Sequence, residues 1–155
     1  MQALELYHRL TYNNTVFSKD EFPARKKAIL CGAPKEYRHW LADQLAYSNE
    51  PRLVQRPDEL FGLTEDIMGQ FYKDRRTFNR RVDTRNYYVH YNASLVNKAA
   101  RGSDLYWLTQ ALSYMLIRCL LAELGFSPEQ CVEIFKKSYE FSYTKHQLNP
   151  GNSDY

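Results

Sequence analysis

The stretch Phe71-Tyr72-Lys73-Asp74-Arg75-Arg76-Thr77-Phe78-Asn79-Arg80-Arg81-Val82-Asp83-Thr84-Arg85-Asn86-Tyr87-Tyr88-Val89-His90-Tyr91 decides how the chain folds. Phe71, Arg75, Phe78, Val82, Arg85 and Val89 follow one another at alternating four- and three-residue steps. That spacing marks one face of an α-helix, whereas a half-buried strand would alternate every second residue. Arg85 falls between Val82 and Val89, so a guanidinium is expected on the core-facing stripe. Such a group is seldom placed there without a partner or a task. Arg75 shares the stripe but lies nearer its basic end, within reach of solvent.

The same period recurs on both sides of this segment. Residues 2–12 place Leu4, Tyr7 and Leu10 on one face. Ser18-Lys19-Asp20-Glu21 has capping-box spacing and opens a helix toward Leu30, which Gly32 stops. Pro34 suits a first helical position before an apolar stripe of Tyr37, Trp40, Leu41 and Leu45. Residues 53–72 read as one long helical stretch carrying Leu60, Leu63, Ile67 and Phe71, with Pro57 near its start. After a surface loop over 92–102, Ser103 is expected to cap an apolar helix closed by Gly125. Ser127-Pro128-Glu129-Gln130 combines a cap, an N1 proline and a capping-box glutamine, and starts a last helix through Tyr139. Strand signals are poor. The reading is all-α: one helical domain over 1–148 and a frayed tail over 149–155.

Composition narrows the function classes. A chain of 155 residues supports one domain with a real core. Thirteen tyrosines supply bulky side chains with a polar tip, suited to half-buried faces and contact surfaces. The net charge of +3 is too small to indicate a polyanion partner by itself. Cys31, Cys119 and Cys131 are scattered, with no C-x-x-C pair and no histidine at ligand spacing. Disulfides, a structural zinc and a metal site are therefore not expected, and a reducing cytoplasm is the simplest compartment. The residues from Met1 onward lack a signal-peptide pattern, no unbroken apolar run approaches a membrane span, and no Gly-rich phosphate loop occurs.

Chemistry concentrates at the end of the opening stretch. Asn86 and His90 are four apart and share a helix face. Arg85 and His90 stand roughly 140° apart around a straight helix. A shared site needs Arg85 to curl its stem round, or a second copy of the helix to face the first. Arg75, Arg76, Arg80 and Arg81 precede the pair, Lys98 and Arg101 follow in the loop, and Tyr87, Tyr88 and Tyr91 are interleaved. Such a set can hold phosphates and stack unpaired bases, or it can be an ordinary solvated face. Arg85 with His90 can equally be a buried arginine bonding helix-end carbonyls beside a packed histidine.

Arg85-Asn86-Tyr87-Tyr88-Val89-His90 matches the R-N-x-x-x-H form of the HEPN motif. Its extended context from Arg81 to Tyr91 resembles the ApeA-like branch of HEPN domains, as do Leu4-Glu5-Leu6-Tyr7-His8-Arg9 and the apolar helix ending at Leu124-Gly125-Phe126. The resemblance spans residues 4–135. It implies an up-and-down helical bundle of HEPN type with flanking helices, a homodimer, and metal-free cleavage of RNA without any cofactor. Arg85 and His90 take the active positions and Asn86 the supporting one; the RNA-binding set is Arg75, Arg76, Arg80, Arg81, Tyr91, Lys98 and Arg101. The branch is associated with bacterial antiviral defence and usually carries a preceding N-terminal domain, so a partner domain outside this sequence is expected to set RNA choice or activation.

These residues suit the chemistry. Metal-free cleavage uses the RNA 2′-OH as nucleophile; a histidine moves the proton and an arginine fork meets the charge growing on phosphorus. A non-catalytic HEPN module that binds RNA or a partner, or dimerises a larger protein, is the alternative. His8, His39 and His146 are read as isolated, with His39 packing beside Trp40, and Cys119 as a core residue rather than a nucleophile.

Overall fold

The computed structural model describes residues 1–73 and 75–149, the side chains of 75–77 excepted. Helix follows helix through the described residues, and no strand forms among them. In chain order they are α1 (Gln2–Thr11), α2 (Glu21–Gly32), α3 (Arg38–Gln44), α4 (Gln55–Leu63), α5 (Glu65–Met68), α6 (Arg75–His90), α7 (Ser103–Glu123), α8 (Pro128–Lys136) and α9 (Tyr139–Leu148). Short 3₁₀ turns at Lys35–Tyr37 and Ala93–Leu95 lead into α3 and out of α6.

The hub is α7, which packs against α4, α5, α8 and α9, while α1 lies on α4. Aromatic rings fill the centre. Phe71, Tyr114, Phe135 and Phe141 meet edge or tilted face at centroid distances of 5.0–5.7 Å. Phe61 and Tyr72 close on Phe78 of α6 at 5.0 and 5.3 Å. Among the described residues α7 is the one helix long and apolar enough, by length and composition, to cross a membrane. One face of it packs on the core, where buried Arg118 donates to Asp66 Oδ2 at 2.8 Å.

Local signals explain several helix ends. The Ser127 box forms in full, with Gln130 N–H donating to Ser127 Oγ and Ser127 N–H to Gln130 Oε1. Gly125, at φ +87°, closes α7 in the left-handed region that glycine favours. Ser18 Oγ accepts from Glu21 N–H at 3.1 Å and so supplies one half of its expected box. Ser103 is not a cap. It is the first helical residue, and Gly102 at φ +54° makes the turn before it, with no side-chain cap bond.

Three expectations need correction. The 53–72 stretch is two helices, because Thr64 breaks it: its hydroxyl donates back to the Leu60 carbonyl at 2.8 Å, and Leu63 is left exposed. The last helix stops at Lys136, and Ser138 starts a further one by accepting from Phe141 N–H at 3.2 Å. The stripe of α3 is not core. Neither α2 nor α3 buries a residue; they pack on each other as a peripheral hairpin and leave Tyr37 and Trp40 exposed. Asn49 ties this hairpin back, accepting from Phe17 N–H and donating to the Phe17 carbonyl.

The rotation of α6 matters most for function. Its buried face runs Phe78, Arg81 and Thr84, one position round from the expected Phe78, Val82, Arg85 and Val89. Val82 and Arg85 are half-buried and Val89 is exposed. The guanidinium in the core is therefore that of Arg81, at 1% exposure. Its Nη2 donates to Asp58 Oδ1 on α4, its Nη1 to the Phe78 carbonyl at 2.8 Å and to Asn79 Oδ1 at 3.0 Å. The guanidinium also lies 3.9 Å from the Phe78 ring centroid. Burial lowers the Arg81 pKa, and Asp58 opposes the shift.

Candidate active site

Helix α6 ends at His90, and Tyr91 breaks it in the left-handed region at φ +49°. His90 thus stands at an exposed helix terminus. One turn earlier, the half-buried stem of Arg85 carries its guanidinium along the helix. Its Nη1 lies 3.0 Å from His90 Nε2 and donates to Asn86 Oδ1 at 3.3 Å. Of the two routes open on angular grounds, Arg85 takes the first: it curls round and meets His90 within one chain. Arginine has no acceptor, so in this contact Nε2 receives the hydrogen bond and the ring proton belongs on Nδ1. The three motif side chains form one polar cluster.

The surrounding basic residues divide sharply. Arg80 is a structural clamp: it donates to the carbonyls of Lys98 and Ala99 and to Asp104 Oδ2, and so pins the loop after α6 to the start of α7. Thr84 adds to this join, its hydroxyl accepting from Ala100 N–H at 2.8 Å. Arg81 is sealed inside and ion-paired, so its expected place on an RNA-contacting surface is corrected. Arg75 and Arg76 lie outside the described side chains. Lys98, Arg101 and Tyr91 are exposed. Arg101 donates to Tyr87 Oη at 2.7 Å and sits 4.9 Å from that ring's centroid, a cation on an aromatic face beside the motif.

On its other side Arg85 borders a cavity of about 550 Å³ between α1, α6 and α7. Leu4, Val89, Leu105, Leu108, Leu112 and Leu116 supply apolar wall; Arg81, Thr84, Tyr88, Thr109 and Ser113 supply polar atoms. The Nε–H groups of Arg81 and Arg85 are both buried and without a hydrogen-bond partner. Sequence reading missed this feature. Its trace was Thr109 and Ser113, hydroxyls four apart on an otherwise apolar helix.

Elsewhere, His8 is not isolated. It is fully buried, with Nε2 2.6 Å from Glu59 Oε2, Nδ1 3.3 Å from Arg56 Nη1, and its ring stacked on Tyr12. His39 does not pack; its side chain is 94% exposed, 3.3 Å from Asp43. Cys119 is buried, and burial pushes its thiol up to about 12, far from a reactive thiolate. Among the described residues no group of three His, Cys, Asp or Glu side chains is placed to hold a metal ion.

An all-helical bundle that presents an Arg–Asn–His cluster at the end of one helix defines the class to which this protein belongs. The chain is a member of the Apea-like HEPN family, whose model matches residues 1–130. No curated protein and no solved structure matches it.

Proposed function

We propose that this HEPN domain is a metal-independent endoribonuclease whose working residues are Arg85, Asn86 and His90. The observation that carries the reading is the contact of Arg85 Nη1 with His90 Nε2 at 3.0 Å, with Asn86 Oδ1 on the same nitrogen at 3.3 Å. A permanent cation thus stands beside an exposed imidazole nitrogen placed to accept a proton. An RNA phosphate competes for the Arg85 fork, since a charged acceptor makes the stronger hydrogen bond. When Arg85 turns to the phosphate, Nε2 is released toward the neighbouring 2′-OH. That oxygen attacks phosphorus as its proton passes to His90, the P–O5′ bond breaks, and a proton is delivered to the departing 5′ oxygen. The products are a 2′,3′-cyclic phosphate and a 5′-OH. The leaving oxygen needs a separate acid, which favours a two-fold dimer in which a second His90 supplies it. A role in bacterial antiviral defence accords with the family.

The rival reading is a non-catalytic HEPN module for RNA binding, dimerisation or partner contact. It draws on the fate of the basic run, where Arg80 and Arg81 serve the scaffold. One experiment separates the two. RNA and DNA of the same sequence are incubated with wild type and His90→Ala, with and without EDTA, and the new ends are analysed. RNA-only cleavage that survives EDTA, leaves cyclic phosphate ends and is lost in His90→Ala supports the proposal. Cleavage restored only by magnesium, equal cutting of DNA, or 5′-phosphate products would refute it.

A further inference from the structure

A row of aromatic rings crosses the surface where α9 lies on the first turns of α7, and nothing in the chemistry just described uses it. Trp107 meets Tyr106 edge-on at 4.7 Å and Tyr143 edge-on at 5.5 Å, and Tyr143 stacks on Tyr139 at 6.1 Å. Tyr106, Tyr139 and Tyr143 remain between 46% and 79% exposed. Exposed aromatic rings in contact with one another mark a recognition surface, because they offer large area at low entropic cost. At the Trp107 end the row opens into a cavity of about 210 Å³ between α7 and the end of α9. Leu108 and Leu148 supply its apolar wall, Asp104 and Gln147 its polar edge. That is below the roughly 300–1,000 Å³ of small-molecule sites and suits a single side chain.

Charge selects the occupant. Glu140, Tyr143 and Gln147 are spaced at i, i+3 and i+7 and share one face of α9, while Lys145, two residues past Tyr143, falls on another side. Asp104 stands at the cavity end, where Arg80 is committed to it and to the carbonyls of Lys98 and Ala99. Glu140 accepts from the Ser138 hydroxyl. Two carboxylates thus flank the row against one engaged cation, an arrangement that repels the phosphates of a nucleic acid and favours a basic partner.

We infer that this row docks a proline-rich segment with a basic end, held in the polyproline II conformation. The site shares no residue with the Arg85, Asn86 and His90 cluster, and the inference does not depend on the ribonuclease reading. A polyproline II chain makes no internal hydrogen bonds, so its carbonyls seek donors. The Trp107 indole N–H, the tyrosine hydroxyls and the Gln147 amide are donors along the row. Proline rings pack on aromatic faces, and the preformed chain loses little entropy on docking. One turn of three residues advances about 9 Å, comparable with two rungs of the row. One proline ring enters the cavity beside Trp107, the next lies on Tyr143 and Tyr139, and a lysine or arginine beyond it pairs with Glu140.

The chain has two tryptophans, and Trp40 is exposed on α3, so Trp40→Phe leaves Trp107 as the sole indole. In that background Trp107 fluorescence is followed against three probes: a short polyproline peptide ending in arginine, a glycine–serine peptide with the same ending, and a single-stranded 2′-O-methyl RNA, which lacks the 2′-OH nucleophile and stays uncut. Anisotropy of the labelled polyproline peptide then gives its affinity for wild type, Tyr143→Ser, Tyr139→Ser and Glu140→Gln, each checked for folding by circular dichroism. The polyproline peptide alone should shift Trp107 fluorescence. Tyr143→Ser should weaken binding about tenfold or more, as loss of a central aromatic contact does. Tyr139→Ser removes the most exposed ring and should act in the same direction, which keeps the test open if Tyr143→Ser fails to fold. Glu140→Gln should weaken binding about twofold to fivefold and flatten its salt dependence. No change in Trp107 fluorescence at millimolar polyproline, an equal response to the glycine–serine peptide, or unaltered affinity in the folded tyrosine variants would overturn the inference. A response to RNA in place of polyproline would overturn it as well and make the row part of an RNA surface.

Discussion

Replacing Asp58 by alanine should unfold this protein more readily than any change at the catalytic motif. Asp58 is the only carboxylate hydrogen-bonded to Arg81 among the described residues, and the Arg81 side chain is fully buried. Without it, the guanidinium keeps neutral acceptors alone: the Phe78 carbonyl, Asn79 Oδ1 and, at 3.5 Å, the Val54 carbonyl. Its Nε–H already lacks a partner. Removing one member of a buried ion pair costs about 3–5 kcal/mol. Asp58 is 37% exposed, and solvent softens the loss, so the lower end applies, about 3 kcal/mol. For a domain of this size that is a fall in Tm of roughly 6–12 °C.

The companion variant reverses the logic. Arg81→Met replaces the cation by an apolar side chain of similar length over the Phe78 ring and leaves Asp58 partly solvated. Its stability should stay within about 1 kcal/mol of wild type, and Arg81→Met should rescue most of the Asp58→Ala loss in the double variant. Urea and thermal melts followed by circular dichroism measure all three. If Asp58→Ala melts with wild type while Arg81→Met collapses, Arg81 is held by packing and carbonyls, and the ion-pair account of α6 is wrong.

Two further outcomes are expected. His90→Ala should abolish cleavage yet change stability by no more than about 0.5 kcal/mol, because the ring is exposed; Arg85→Ala should also abolish it and destabilise somewhat more, read by the same melts. Burial raises Tyr72 from 10 to about 12, against the opposing charge of Arg81, so its contribution to stability is full below pH 10 and is lost as pH rises toward 12. Thermal melts across that window should fall less steeply for Tyr72→Phe, and identical slopes would discount the shift.

Much of this architecture could be read from local sequence. The Ser127 box and Gly125 follow from short-range chemistry that needs no knowledge of the rest of the chain. The face of α6 could not be read that way. Val82 and Val89 made the apolar count favour their side, but the decisive partner of α6 is Asp58, far away in sequence on α4, which makes a buried arginine tolerable at position 81. Periodicity finds a stripe and cannot see a compensating charge. The same limit hid the role of Arg80, whose acceptors lie on the loop and at Asp104, and of His8, whose partners lie on α4. Ser138 carries a local cap signal, a serine three residues before Phe141, inside a stretch that reads as one helix through Tyr139. The Arg85, Asn86 and His90 positions lie within one short stretch of sequence, whereas the cavity exists only where three helices diverge.

The contact between Arg85 and His90 also changes what a dimer is for. Angular separation leaves two routes open, a curled Arg85 stem or a second copy of the helix, and the second is not needed to bring arginine and histidine together, since one chain joins them at 3.0 Å. What one chain lacks is a second proton-transfer group: a single His90 that has accepted the 2′-OH proton cannot at the same moment deliver a different one to the 5′ oxygen. On the proposed mechanism a dimer would serve the division of acid and base, and each half-site would keep its own Arg85–His90 pair. Mixing inactive Arg85→Ala with inactive His90→Ala protein tests this directly. Every mixed dimer then holds one chain without its arginine and one without its histidine, so no chain has an intact pair. If each cut needs an intact pair within one chain and a second His90 as acid, mixing restores no more than a few per cent of wild-type cleavage. Restoration toward half of wild type would mean that arginine and histidine act across the interface, and that the contact within one chain is a resting arrangement which the assembled enzyme abandons.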